Sequence, residues 1–294
     1  MLFPRLMTAM VTPYNDDLTV NFQKAGDLAE YLCDNGSDGI VVCGTTGESP
    51  VLTIEEKLQL FATVKQRLGS RASVWAGAGS NNTQLSADLS REAENTGVDG
   101  IMLVTPYYNK PSQEGLYQNF KKIAGEVSLP VMLYNVPGRT SCNLLPATVA
   151  RLAEIDNIAA IKEASGNMDQ VSELRNLVGD KMTIYSGDDS LTLPMLALGA
   201  HGVVSIASHL VGKEIKQMID AFVSGKVEEA AQIHGNLFAM FKGLFVTTNP
   251  IPLKEALNII GMEVGGFRLP LCGAGEKDLV FIKKLLDSYN MLPK

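Results

Sequence analysis

The strongest constraint on how this chain folds is a recurrence. Eight short apolar segments, each running into a polar or glycine-rich turn, are spaced along the chain at intervals of roughly 20–35 residues. They are RLMTAMVTP (5–13), GIVVCGTTG (39–47), SVWAGAG (73–79), GIMLVTPYY (100–108), PVMLYNVPG (130–138), IAAIKEAS (158–165), TIYSGDD (183–189) and GVVSIAS (202–208). The stretches between them have helical spacing. From Thr53 to Gly69, Thr53 and Glu56 make a capping box, and Ile54, Leu58, Phe61, Val64 and Leu68 recur every three or four residues. From Thr83 to Gly97, Leu85, Leu89 and Ala93 share one face before a glycine stop, and Ser112 to Val127 repeats the pattern with Leu116, Phe120, Ile123 and Val127.

Alternating strands and helices build a parallel sheet with right-handed crossovers. Eight units is the number that closes a (β/α)8 TIM barrel, whose core takes about 250 residues. The alternative, an open doubly wound sheet, usually carries a glycine-rich phosphate turn at its first crossover. Here that crossover reads VTPYNDD, without glycine. The pattern, together with the family resemblance given below, predicts the barrel. After Ser208 the strand signal stops, and Val211 to Ser224, Val227 to Thr247 and a segment after Pro252 read as helices. This divides the chain into a barrel carrying the active site (1–210) and a helical C-terminal region packed on it (211–294).

The net charge of -7, with no basic runs, argues against nucleic acid or an anionic membrane as partner, but leaves room for a small anionic substrate. No stretch is long and apolar enough for a membrane helix, and the N-terminus lacks the apolar core and cleavage site of a secretory signal. Cys33, Cys43, Cys142 and Cys272 are far apart with no CxxC, as expected of reduced cysteines in a cytoplasmic protein. Cys43 lies beside the candidate site, where packing is a commoner role than reactivity.

In such a barrel the active site is built at the C-terminal ends of the strands. That rule brings together the turn Gly44-Thr45-Thr46-Gly47-Glu48, Tyr107 and Tyr108, the run from Tyr134 to Arg139, Lys162 and the run from Ser186 to Asp189. Lys162 is the sharpest signal, because it ends the apolar strand Ile158-Ala159-Ala160-Ile161, where lysine is costly to bury. Alternation puts Ala160, Lys162 and Ala164 on one face, leaving space around the amine. A free lysine titrates near about 10.4; burial and nearby cations lower this and free a nucleophilic amine for imine formation. A structural ion pair with Glu163 is disfavoured, since adjacent strand residues point to opposite faces.

Tyr134 is the candidate proton carrier, although a lone tyrosine is more often core. The Gly44–Gly47 turn offers hydroxyls and backbone N–H groups suited to a carboxylate, but is equally a capped glycine turn. Arg139 could clamp a carboxylate at two points or simply be solvated. His201, His209 and His234 have no metal-ligand spacing, and Asp188-Asp189 reads as turn solvation or capping before cation binding. Gly77-Ala78-Gly79 is no dinucleotide fingerprint, and Ser186-Gly187 is a weak cradle for pyridoxal phosphate.

The chain resembles the dihydrodipicolinate synthases, within the pyruvate-dependent class I aldolases that include N-acetylneuraminate lyase. The resemblance runs nearly end to end and rests on Gly44-Thr45-Thr46-Gly47-Glu48, on Tyr134-Asn135-Val136-Pro137-Gly138-Arg139-Thr140 and on Ile161-Lys162-Glu163-Ala164. It implies that Lys162 forms a Schiff base with pyruvate and that Tyr134, Thr45 and Tyr108 form a proton relay, Tyr108 reaching in from a neighbouring subunit. It further implies that Thr46 and the Val204 backbone hold pyruvate, that the Gly187 carbonyl orients the site, and that Arg139 clamps the carboxylate of L-aspartate 4-semialdehyde. No metal or organic cofactor is implied, and the expected assembly is a homotetramer of tight dimers. The alternatives are a lyase of the same superfamily acting on a sugar acid, and a barrel that binds without catalysing.

Lysine-inhibited relatives carry an acidic residue where Leu85 stands, and histidines where Ile54 and Lys57 stand; Ser49, Asn81 and Tyr107 are kept. A ligand ammonium would lose its carboxylate partner and meet a like charge at Lys57. Feedback inhibition by lysine is therefore expected to be weak or absent.

Overall fold

Each of the eight apolar segments contains one strand: β1 (Leu6–Ala9), β2 (Gly39–Val42), β3 (Ser73–Gly77), β4 (Gly100–Val104), β5 (Val131–Asn135), β6 (Ile158–Glu163), β7 (Thr183–Ser186) and β8 (Gly202–Ser205). The structure is a computed structural model, and it describes residues 3–293. The strands are hydrogen-bonded in sequence order, all parallel, and β8 closes on β1 with Met7 opposite Val204. Every residue of β1, β2, β5 and β8 is buried. Parallel strands covered on both faces need no polar alternation, which is why they read as continuous apolar runs. Gly77, in the run that is no dinucleotide fingerprint, serves close packing of strands: a Cβ there would lie 2.4 Å from the Cys43 carbonyl oxygen.

The helix Ile54–Leu68 starts at the capping box: the Thr53 hydroxyl accepts from Glu56 N, and the Glu56 carboxylate accepts from Thr53 N at 2.9 Å. It buries Leu60, Phe61, Val64 and Leu68, whereas Ile54 is exposed. The helix Thr83–Glu94 corrects the expected face. Leu89 and Ala93 are buried, but Leu85 is 53% exposed. The Ser86 hydroxyl accepts from Ser80 N at 2.8 Å and turns the buried stripe through Ser86 and Ser90. In the helix Gln113–Ala124, Leu116, Phe120 and Ile123 are buried as the spacing predicts.

The helix after β8 spans Ser208–Val223, with non-helical backbone at Val211 inside it. Three further helices follow: Val227–Gly243, Ile251–Ile259 and Glu276–Ser288. The first ends at Gly243, short of the expected Thr247. Val246, Thr247 and Thr248 are β-branched, and Asn249 precedes a proline, which disfavours helical backbone. The last helix was not singled out by the sequence pattern.

These helices share one hydrophobic core with the barrel; Met240, Phe241, Leu253, Ile282 and Leu286 belong to the same buried cluster as the strands. A buried ion pair adds a polar tie. Lys254 Nζ lies 2.9 Å from Glu48 Oε1, both side chains are fully enclosed, and the ammonium also donates to the carbonyls of Thr12 and Gly266. Glu48, last residue of the turn after β2, therefore anchors the C-terminal region to the barrel mouth. The Arg268 guanidinium reinforces the tie with a two-point ion pair to Glu56 at 2.6 and 2.7 Å.

Candidate active site

Strand pairing sets Lys162 on β6 opposite Tyr134 on β5. Both are 5% exposed, and the amine lies 4.4 Å from the centroid of the tyrosine ring. Gly187, just past β7, makes room for the lysine stem, since a Cβ there would stand 3.1 Å from both Cγ and Cε of Lys162. Burial lowers the Lys162 amine to about 8; Arg139 pushes the same way, and the Asp189 carboxylate opposes it. Burial raises the Tyr134 hydroxyl, with Arg139 and the Thr45 hydroxyl partly offsetting it, so the phenol is protonated at neutral pH.

Glu163 forms no ion pair with Lys162. Its buried carboxylate faces the other way and accepts from Ser165 N (2.6 Å), Asn135 Nδ2 (3.0 Å) and Gln170 Nε2 (3.2 Å). The alternation argument for Lys162 holds, and Glu163 instead fixes β6 against the helix Met168–Val178 that carries Gln170.

A cavity of about 310 Å3 opens at the strand ends, with Thr45, Tyr134, Arg139, Tyr107, Lys57 and Asn249 in its wall. Lys162 adjoins it through the Tyr134 ring. Thr46 is buried, and its hydroxyl oxygen accepts from Asn249 Nδ2 at 3.0 Å. Arg139 sits on the short helix Pro137–Thr140, exposed at the rim, and donates to the Asn249 carbonyl at 3.1 Å. Val204 is buried within β8. Tyr108 is different: it is 89% exposed, its backbone has φ 76°, and it does not line the cavity of its own chain. Burial pushes the Cys43 thiol up to about 12, which favours packing over reactivity for this residue.

Sequence reasoning missed two residues here. Asp188 caps its turn as expected, accepting from Ser190 N at 2.8 Å. Asp189 does not stand in solvent: it is 3% exposed and accepts from the Ser205 hydroxyl and from Ile206 N and Ala207 N, both at 3.1 Å. Its place just past a strand end is the one hint in the sequence, since the flanking Ser186-Gly187-Asp188 and Ser190 read as an ordinary polar turn. Asn249 had no signal, because it comes from the loop after the helix Val227–Gly243, far away in sequence. His209 is a packing residue, with Nδ1 on the Ile206 carbonyl and Nε2 accepting from Val11 N. Among the described residues, no group of three or more His, Cys, Asp or Glu side chains is placed to hold a metal ion.

The sequence profile described as the dihydrodipicolinate synthetase family matches residues 2–288. The 4-hydroxy-tetrahydrodipicolinate synthase of Heliobacterium modesticaldum is 58% identical over 291 residues, covering 99% of this chain and 97% of the relative. That of Desulforamulus reducens is 57% identical, covering 99% and 98%. Among solved structures, a dihydrodipicolinate synthase from Bacillus anthracis superposes with a TM-score of 0.96 at 47% identity, covering 100% of each chain. One from Cyanidioschyzon merolae, solved with lysine bound, gives 0.97 at 45% identity, covering 99% of each. A closed eight-stranded barrel, a buried lysine against a tyrosine at its mouth and likeness along the full length lead to one conclusion: the chain belongs to the dihydrodipicolinate synthetase family.

Proposed function

We propose that this protein condenses pyruvate with L-aspartate 4-semialdehyde to give 4-hydroxy-tetrahydrodipicolinate, a step of lysine biosynthesis. The observation that carries the reading is full-length identity of 52–58% to proteins named for that activity. The geometry supports it. A Lys162 amine lowered to about 8 is a competent nucleophile near neutral pH. It attacks the keto carbon of pyruvate, and the carbinolamine loses water to give the imine. A proton leaves the methyl group to give the enamine, whose carbon attacks the aldehyde. The amino group of the second substrate then displaces Lys162 as the ring closes, so one water is released overall.

The residue roles are part of the proposal. Tyr134 and Thr45 pass protons between the reacting atoms and solvent, a role suited to a protonated phenol beside the amine. Thr46 and the Val204 backbone hold pyruvate, and the Gly187 carbonyl orients the site. Arg139 holds the carboxylate of the semialdehyde. Tyr108 completes the relay from a neighbouring subunit of a homotetramer. Its support is conformational: a non-glycine φ of 76° holds the aromatic side chain clear of its own barrel. We place the reaction in the cytoplasm, which the free cysteines among the described residues support.

The test is borohydride reduction in the presence of pyruvate, followed by a screen of aldehyde acceptors. The expected result is one covalent adduct at Lys162 and turnover with aspartate semialdehyde. An adduct with turnover only on a sugar-derived aldehyde would favour the sugar-acid reading. Absence of any adduct would remove the enzyme reading altogether.

A further inference from the structure

Glu48, Lys162, Glu163, Asp189 and Lys254 are the carboxylates and amines buried among the described residues. Glu48 and Lys254 pair with each other, Glu163 ties β6 to its helix, and Lys162 is the proposed nucleophile. Asp189 is left without a part. Burying a carboxylate is costly unless its oxygens are satisfied, and here three hydrogen bonds do so. The Ser205 hydroxyl meets Oδ1, while Ile206 N and Ala207 N both donate to Oδ2 at 3.1 Å. Backbone N–H groups can only donate, so the direction of the last two bonds is fixed. Ser205 Oγ also accepts from Ser208 N at 2.9 Å, which locks the turn after β8.

All three bonds cross from the turn after β7 to the turn after β8. These strands pair only through Tyr185–Gly202 and Ser186–Val203, the shortest ladder of the barrel. Gly187 and Val204 lie one residue beyond its end. Toward β6, Gly187 is held by the backbone, its N–H donating to the Glu163 carbonyl at 2.8 Å. Toward β8 the ladder has stopped, and the Asp189 side chain takes its place. Gly187 in turn backs the Lys162 stem, where a Cβ would stand 3.1 Å from Cγ and Cε. We infer that Asp189 is a positioning residue for imine formation: its carboxylate clasps the β7 turn to the β8 turn and so holds Gly187 and the Val204 backbone in register around Lys162. This rests on the reading of Lys162 as the group that captures pyruvate. The role is geometric, with no contact to the substrate. The charge is a separate effect: it opposes the lowering of the Lys162 amine, whereas Arg139 favours it.

Substitution separates the two. In Asp189→Asn the amide oxygen can accept both backbone N–H groups and the amide nitrogen can donate to Ser205 Oγ, so the clasp stays while the charge goes. Asp189→Ala removes both. The test is the rate of borohydride trapping by the full-length protein, measured against pyruvate concentration and pH. The pH midpoint moves downward in both variants. Only Asp189→Ala raises the half-saturating pyruvate concentration, by about tenfold or more, the scale of a misplaced reacting pair. It also slows trapping at saturating pyruvate and at pH well above the midpoint. Asp189→Asn keeps both values close to those of the unaltered protein. A folded Asp189→Ala variant with a lower thermal midpoint but an unchanged pyruvate dependence would make Asp189 a brace for the fold alone and overturns the assignment. An equal rise in both variants also overturns it, because charge and not the clasp would then be responsible. If the alanine variant does not fold, Ser205→Ala cuts one arm of the clasp and leaves the carboxylate. It should raise the half-saturating pyruvate concentration severalfold, and an unchanged value overturns the assignment. Lack of a pyruvate adduct in the unaltered protein would instead mark failure of the Lys162 reading itself.

Discussion

Lys162 and Tyr134 face each other across neighbouring strands, with the amine 4.4 Å from the ring centroid. The ring shields the amine and the hydroxyl can move protons, so the two contributions are separable. Tyr134→Phe keeps the ring. Its kcat is expected to fall about 100-fold or more, the range of positioned acid–base catalysis. The thermal midpoint should move little, and pyruvate should still be trapped on Lys162, though more slowly. Unchanged steady-state turnover would remove Tyr134 from the relay.

The pH dependence of imine formation follows from the lysine. Below its midpoint the ammonium dominates and cannot attack; above it the neutral amine does. Trapping under limiting reductant should therefore accelerate as pH rises through about 8. Arg139 pushes this midpoint down and Asp189 pushes it up. Arg139→Ala should shift the pH profile upward and Asp189→Asn downward. Shifts in the same direction would contradict this electrostatic account. Arg139→Ala should also cripple use of aspartate semialdehyde while leaving the pyruvate adduct intact.

The Lys254–Glu48 pair is fully enclosed, so removing one partner strands a buried charge. Glu48→Ala should destabilise the fold by about 3–5 kcal/mol, measured by urea unfolding. Glu48→Gln combined with Lys254→Met should recover much of that loss, because neither charge then remains to be solvated. Equal losses in the single and double variants would show that the pair's charges are not what matters.

Free lysine should inhibit weakly or not at all. Lys57 lines the cavity, and burial lowers its amine without abolishing its mismatch to a second ammonium. Leu85 and Ile54, both exposed, offer no carboxylate or imidazole. Initial rates with both substrates saturating check this; inhibition at millimolar lysine would contradict it and align this chain with the Cyanidioschyzon merolae protein that was solved with lysine bound.

Much of the barrel was legible because parallel strands buried on both faces leave unbroken apolar runs. Lys162 was legible for the same reason, being the charge that interrupts one of them. Leu85 misled because the period of a helix does not say which residues of its first turn meet the core; here the serine bonding of Ser80 and Ser86 decides it. Asn249, Asp189 and the Lys254–Glu48 pair were not legible. Each depends on a contact between segments distant in sequence, Thr46 with Asn249 and Glu48 with Lys254 among them, and local pattern carries no trace of such a meeting. A guanidinium at Arg139 and hydroxyls at Thr45-Thr46 suit many carboxylate-bearing aldehydes, so their local chemistry alone selects none of them.

The tie between Glu48 and Lys254 also bears on modularity. Fold diagrams treat barrel loops as interchangeable parts above an inert scaffold. Here the loop after β2 is held by a helix from the far end of the chain, and the loop that bridges Thr46 and Arg139 enters that same helix. Transplanting the strand-end loops onto another barrel, without the C-terminal helices, would carry over the chemical groups but not the frame that aims them.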